Sequence, residues 1–334
     1  MGWLAMSWPG LDWVLTLQRL SPALDGVMRA LSFFGDEVFF SAFVPFLYWC
    51  VDTALGLRVL AILVSSDFVN GVVKWAVHAP RPFWVDAQVK ALSLESAYGL
   101  PSGHAQNAAA IWLTLARVVR GQWAMIAAVL LILSISISRM YLGVHFPQDV
   151  VAGWVIGTAI IVVYRRVEPG AVRWFGSRPL SVQILAALGV SMLMLVVTLG
   201  VRATIAGISD PPGWSSQATT GLSPADAKRA YDPRSLDGPV ASVGVVFGAG
   251  VGLALMRRSA RFSPGGAWRT RAARLVIGLL IVAVLRFGLA AVFPRDPVVV
   301  GLALRYVRYA LLALGVVWVA PWFFIKIGLA ERRL

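Results

Sequence analysis

Long stretches almost free of charge recur along this chain, and they decide which solvent it folds in. Nine of them, at about 36–50, 55–77, 104–120, 123–139, 148–166, 181–200, 239–256, 274–293 and 302–327, read as membrane spans. At 1.5 Å of rise per residue, about 20 apolar residues cross a bilayer core of roughly 30 Å. A helix satisfies its own backbone hydrogen bonds in lipid, so the pattern predicts an all-α, polytopic membrane helical bundle. Of the 334 residues, 58% are hydrophobic and only 14% charged, too few to coat a soluble domain that hides the rest. The single cysteine, Cys50, excludes an intramolecular disulfide and any cysteine-based metal site.

Residues 1–35 differ from the spans. Trp3, Trp8 and Trp13 alternate with Asp12, Arg19, Asp25 and Arg29. That mixture predicts amphipathic helices lying in the membrane interface, the alternative being a first span near 3–18. No basic region precedes the first apolar stretch, the first arginine being Arg19, so no secretory signal pattern is expected. The chain then divides into the interfacial segment 1–35, a core at 36–166 and additional spans at 167–334. An outer loop at 201–238 carries Pro211, Pro212, Pro224 and Pro233, and reads as irregular or lid-like.

A net charge of +14 raises the question of nucleic acid, but the arginines sit in short loops between apolar runs rather than on one basic, aromatic-laced surface. No nucleic-acid partner is expected; the bilayer is. The clusters Arg117 and Arg120, Arg165 to Arg178, Arg257 to Arg274, and Arg332 with Arg333 all fall on one side of a nine-span count. The positive-inside rule makes that side cytoplasmic, with the N-terminus outside and the C-terminus inside. The expected location is a bacterial inner membrane with the opposite face toward the periplasm, or toward the lumen of an endomembrane.

Three polar groupings then meet at that outer face. Lys74, followed by Arg81-Pro82 at the outer end of the second span, offers a compact cation and a planar fork suited to a dianion, although two snorkelling interfacial residues would look the same. Pro101-Ser102-Gly103-His104 opens the third span with free N–H groups and a helix dipole, an anion site or an ordinary turn. Ser138-Arg139 closes the fourth span, and His145 precedes Asp149 by four residues at the start of the fifth. A carboxylate on one imidazole nitrogen fixes the tautomer and leaves the other nitrogen free to attack; a structural His–Asp bond is the alternative. The chain has three histidines and four lysines, and two of those histidines and one lysine lie here. Convergence of these residues at one membrane level is what lifts the groupings above their separate readings.

Written out as KWAVHAPRP, PSGH and SRMYLGVHFPQD, the three groupings resemble the signature of the type 2 phosphatidic-acid phosphatase superfamily. They run over 76 residues, Lys74 to Asp149, and leave 167–334 without a motif. The resemblance implies that Lys74, Arg81 and Arg139 grip the phosphate with Ser102 and the Gly103 N–H. It implies that His145 attacks phosphorus and becomes phosphohistidine, oriented by Asp149. His104 would protonate the leaving alkoxide and then activate water, without metal or cofactor. The nine-span layout and the stretch YGLPSGH, with Glu95 just upstream, are also similar to the glucose-6-phosphatase and sphingosine-phosphate phosphatase branches.

Further polar residues are candidates for support or for headgroup contact. Asp67 and Asn70 share the face of Lys74; an intramembrane carboxylate needs a partner, so Asp67 is expected to face the bundle. Arg286, Arg305 and Arg308 lie in outer halves of their spans, where headgroup binding competes with snorkelling. Gly153 and Gly157 predict close helix packing, and His78 a solvated loop position. The function expected is a membrane phosphatase acting on a phosphomonoester or diphosphate of a lipid or lipid-linked substrate. The alternatives are a phosphatase for a soluble sugar phosphate and a non-hydrolytic anion carrier, although carriers place their sites at mid-membrane depth.

Overall fold

The computed structural model describes residues 8–259, 261–294, 296 and 298–332; Trp3 and Arg333 lie outside them. In chain order the helices are α1 (Leu11–Gln18), α2 (Asp25–Phe33), α3 (Glu37–Phe46), α4 (Thr53–Val77), α5 (Pro82–Val85), α6 (Gly103–Val119), α7 (Gln122–Tyr141) and α8 (Pro147–Ser177). They continue as α9 (Leu180–Thr204), α10 (Pro212–Thr219), α11 (Pro224–Ala230), α12 (Asp237–Ser259), α13 (Trp268–Val292), α14 (Val298–Leu314) and α15 (Ala320–Lys326). Wider π turns prolong α3 over Leu47–Val51 and join α14 to α15 over Gly315–Val319. The described residues contain no strand, only an isolated antiparallel pairing of Phe262 with Arg332. The all-helical architecture follows the apolar patterning.

The span count differs from nine. Among the described residues seven helices are long and apolar enough to cross a bilayer, or eight if α2 and the Glu37–Val51 segment, bent by 45°, form one broken span. Each expected run is helical, but two are short. Helix α6 has 17 residues because it begins only at the Ser102 cap and ends where Arg120 turns to φ 63°. The Glu37–Val51 segment carries Pro45 inside and stops at extended Asp52. The segment 201–238 also departs from an irregular loop. Proline starts α10 and α11, and the Ser223 hydroxyl caps α11 by accepting from the Asp226 N–H.

The chain folds as two compact units built from discontinuous segments. The first contains 1–39, 65–163 and 200–235, and so all three motifs. Within it α7 packs against α1, α2 and α6, and α10 packs against α5 and α11. Helices α6 and α8 approach closely because α8 presents glycine. A Cβ at Gly153 would lie 2.7 Å from the Ser102 carbonyl oxygen, and one at Gly157 would lie 3.2 Å from the Ala109 Cβ. That contact holds the start of α6 against the first turn of α8, where the Ser102 N–H donates to the Asp149 carbonyl at 2.9 Å.

The N-terminal helices are tied into this unit. Gln18, buried at the end of α1, donates to the carbonyls of Lys90 (2.8 Å) and Tyr141 (3.0 Å) and accepts from the Lys90 N–H. The Tyr141 hydroxyl donates to Asp25 of α2 at 2.6 Å. The 200–235 segment is anchored through aromatic side chains. Trp84, buried in α5, packs with tilted rings against Tyr231 (4.7 Å between centroids) and Trp214, and donates to the Ala230 carbonyl. Asp210 accepts from Tyr98, Tyr231 and Arg234.

The second unit comprises 40–64, 164–199 and 236–334. Its core gathers Tyr48, Trp49, Phe262 and Phe324 beside the π turn of 315–319. There Tyr48 and Trp49 donate to the carbonyls of Val317 and Val316, each at 2.9 Å. Helices α12 and α14 pack together. Arg274, assigned to a positive loop by sequence, is fully buried and donates to the Ser263 and Pro264 carbonyls.

Candidate active site

The first unit gathers the motif residues into one buried cluster. Lys74, near the end of α4, donates to the carbonyls of Tyr98 and, at 3.4 Å, Gly99, which leaves one of its three N–H groups for a further acceptor. Arg81, at the N-cap of α5, donates from Nε to the Ala97 carbonyl (2.6 Å) and from Nη1 to the Val144 carbonyl (2.9 Å). Arg139, in the last turn of α7, donates from Nη1 to the Ser32 hydroxyl (2.7 Å) and from Nη2 to Glu95, while its Nε is buried without a partner. Relative exposures of 7%, 1% and 2% for Lys74, Arg81 and Arg139 keep all three cations from bulk water. Buried guanidinium groups with spare donors bind a dianion strongly, because little solvent screens the attraction.

Glu95 supplies the counter-charge. Its carboxylate bridges Arg139 and Arg81, the latter at 3.7 Å. Burial alone would raise its pKa, but Arg139, Arg81, His104 and Lys74 outweigh it and hold the group at about 2. In sequence Glu95 stood only as a possible support or headgroup contact; the fold makes it the anion that the cations hold.

His145 lies between α7 and α8, where Gly143, at φ 77°, ends α7 in the left-handed conformation that glycine adopts without strain. Its Nδ1 faces Asp149 Oδ2 at 3.2 Å, and the same oxygen accepts the Phe146 N–H at 2.9 Å. Its Nε2 faces Arg81 Nη1 at 3.2 Å. Burial first, then the charges of Arg81, Lys74 and Arg139, push the imidazolium pKa well below the ordinary histidine value. The ring is therefore neutral near pH 7. With Nδ1–H donated to Asp149, the Nε2 lone pair points at the cations.

Ser102 caps α6, its hydroxyl accepting from the Ala105 N–H at 3.4 Å. The first-turn N–H groups of Gly103 and His104 have no helical acceptor. His104 Nε2 is buried and lacks a hydrogen-bond partner; the nearest carboxylate oxygen, Asp36 Oδ2, is 3.8 Å away. Asn70 donates to the Pro101 carbonyl and to Gln106, so it supports the turn beneath Gly103. Asp67 faces α6 as expected, accepting from Asn107 at 2.9 Å. His78 departs from a solvated position: it packs edge-on against Tyr98, with centroids 5.1 Å apart.

Arg286, Arg305 and Arg308 belong to the second unit, not to the one that holds the motifs. Arg305 pairs with Asp237 at 3.2 Å and lies over Tyr309, as does Arg308, so both have local partners; Arg286 is exposed. Sequence reasoning missed Ser32 and Asp36. Nothing in their local pattern marks them, since Ser32 meets Arg139 across 107 residues of chain. The described residues contain no group of three or more histidine, cysteine, aspartate or glutamate side chains placed to hold a metal ion.

A family model described as the PAP2 superfamily matches residues 55–173, which include every motif residue. A second, described as the transmembrane extension of PAP2 superfamily phosphatases, matches residues 240–332. The chain is 30% identical over 190 residues to glucose-6-phosphatase catalytic subunit 1 of Haplochromis nubilus, an alignment covering 47% of this chain and 53% of that one. It is 34% identical over 135 residues to sphingosine-1-phosphate phosphatase 2 of Homo sapiens, covering 39% of this chain and 34% of the other. The chain thus spans about half the length of the first relative and a third of the second. Among solved structures it is similar to a transmembrane PAP2-type phosphatidylglycerolphosphate phosphatase from Bacillus subtilis, with 23% identity, 48% of this chain and 86% of that one covered, and a TM-score of 0.40.

Proposed function

The chain belongs to the PAP2 superfamily and carries its transmembrane extension, and from that premise we propose that this integral membrane protein is a phosphoric monoester hydrolase working through a phosphohistidine at His145. The observation that carries the reading is the position of one nitrogen. His145 Nε2 stands 3.2 Å from Arg81 while Nδ1 is held by Asp149, so the lone pair and the cations face the same volume.

The chemistry follows from those contacts. An entering phosphate dianion competes with Glu95 for Arg139 and Arg81, and takes Arg81 Nη1 away from His145 Nε2. Lys74, the Arg139 Nε and the Gly103 N–H supply further donors, and Ser102 lends its hydroxyl. Freed of Arg81, the Nε2 lone pair attacks phosphorus in line. The N–P bond forms as the ester P–O bond breaks, and the electron pair leaves on the alkoxide oxygen. His104, bearing a proton on Nε2, gives it to that oxygen. Neutral His104 then takes a proton from water as the water oxygen attacks phosphorus, and the P–N electron pair returns to His145. Asp149 holds the Nδ1 proton throughout and offsets the positive ring. Such transfers depend mostly on positioning and charge neutralisation, and removing one positioned donor costs roughly 100- to 1000-fold in rate.

The substrate proposed is an amphiphilic phosphate presented from the bilayer, with the site on the outer, periplasmic or lumenal, face given by the positive-inside distribution of arginines. The test is phosphate release by purified protein from a panel of lipid and sugar phosphates in EDTA. Turnover that persists with the chelator and vanishes in His145→Ala supports the reading; turnover that the chelator abolishes contradicts it.

A further inference from the structure

Beside the cation cluster the first unit contains a cavity of about 680 Å³, walled by α2, the 91–95 segment, Arg139 and Arg229 of α11. That is far more room than a phosphoryl group needs and lies within the roughly 300–1,000 Å³ that enclose a small molecule. The cavity touches the reacting centre at two points. One is the Arg139–Glu95 pair, where the phosphate charge is to be held. The other is Asp36, whose Oδ2 is 3.8 Å from the unpartnered Nε2 of His104. A leaving oxygen that receives its proton from that nitrogen lies next to Asp36, and the rest of the leaving group then extends into the cavity.

The lining states what fits there. Arg29, Asp36 and Arg229 are charged, Ser32 and Ser93 carry hydroxyls, and Phe33 offers an aromatic face beside three leucines and an alanine. Asp36 is held in place because its Oδ1 accepts the Val38 N–H at 2.7 Å, while no hydrogen bond links Oδ2 to His104. An acyl or prenyl chain in this space would strip water from three charged groups without replacing it. A hydroxyl-rich group gives to the carboxylate, accepts from the arginines and lays its C–H face on Phe33. Resting on the phosphatase reading, we propose that this cavity is the leaving-group subsite and that it takes a polyol, with Asp36 as acceptor and Arg29 as donor. The polyol belongs either to a soluble sugar phosphate or to the glycerol head of a lipid.

The test compares kcat/KM of the purified full chain, in detergent and EDTA, for four esters. Hexose 6-phosphate and phosphatidylglycerol phosphate are the soluble and lipid polyol arms; farnesyl phosphate and nitrophenyl phosphate lack hydroxyls. The subsite predicts that at least one polyol ester exceeds farnesyl phosphate by about tenfold, and that Asp36→Asn and Arg29→Ala each cut that ratio by about tenfold, one lost hydrogen bond to a charged group. Which polyol arm is faster identifies the source. Asp36→Asn keeps the side-chain volume and Arg29 is exposed, so folding is not at issue. Preference for farnesyl phosphate, or a ratio that neither variant moves, overturns the subsite alone. Failure to hydrolyse any ester, nitrophenyl phosphate included, overturns the phosphatase reading and the subsite with it.

Discussion

Replacing Glu95 with glutamine removes the carboxylate that bridges the two guanidinium groups of the site. The group falls from an ordinary value of 4.5 to about 2 in the fold. By linkage that difference corresponds to about 3 kcal/mol of folding stability at neutral pH. With 29% of the side chain exposed, solvent screening is modest. The folded value lies below the unfolded one, so the stabilisation is complete above about pH 4.5 and is lost as pH falls toward 2. Glu95→Gln therefore lowers the Tm of the detergent-solubilised protein by about 5–10 °C at pH 7, taking roughly 2–4 °C per kcal/mol for a large domain. Tryptophan fluorescence, from 14 tryptophans, follows the unfolding. The gap falls to about half at pH 3 and closes only as pH nears 2; it also narrows in saturating phosphate, which binds the same arginines and stabilises the variant more than the parent. An unchanged Tm at pH 7, or a gap indifferent to both acid and phosphate, would refute the counter-charge role.

Other perturbations separate the parts of the site. In single-turnover release of the leaving group, His104→Ala slows alkyl phosphates by roughly 100- to 10,000-fold, the usual range for a general acid, and slows nitrophenyl phosphate less because its leaving group needs no proton; equal losses on both in that first step would contradict the assignment. Asp149→Asn leaves the fold intact but lowers kcat by roughly 10,000-fold through the wrong imidazole tautomer, measured by steady-state release of phosphate. Gly153→Leu drives a side chain into the Ser102 carbonyl, 2.7 Å from the position of its Cβ, and lowers Tm and activity together; normal activity in that variant would break the link between α6–α8 packing and the site.

What the sequence made legible was local. Lys74 with Arg81, Ser102 with His104, and His145 with Asp149 are close in the chain, so helix ends and turn chemistry carry them into place. The close approach of α8 was legible for the same reason, because Gly153 and Gly157 sit one turn apart on one face. The partners that complete the site come from far away in sequence. Ser32 and Asp36 reach Arg139 and His104 from the α2 end, and Asp210 reaches Tyr98 across 112 residues, so no spacing rule announces them. Seven or eight helices rather than nine are long and apolar enough to span among the described residues, because hydropathy alone does not fix boundaries: α6 is apolar throughout its middle but is cut short by its Ser102 cap and the turn at Arg120. Arg305 looked available for a headgroup because its partner, Asp237, starts a different helix.

If phosphorus passes through His145, rapid acid-free quenching traps it there. His104→Ala protein mixed with phosphorus-32-labelled substrate, denatured in base and digested, should carry a base-stable, acid-labile phosphate on the peptide containing His145. Label on any other residue, or none while labelled phosphate is still released, would contradict the account.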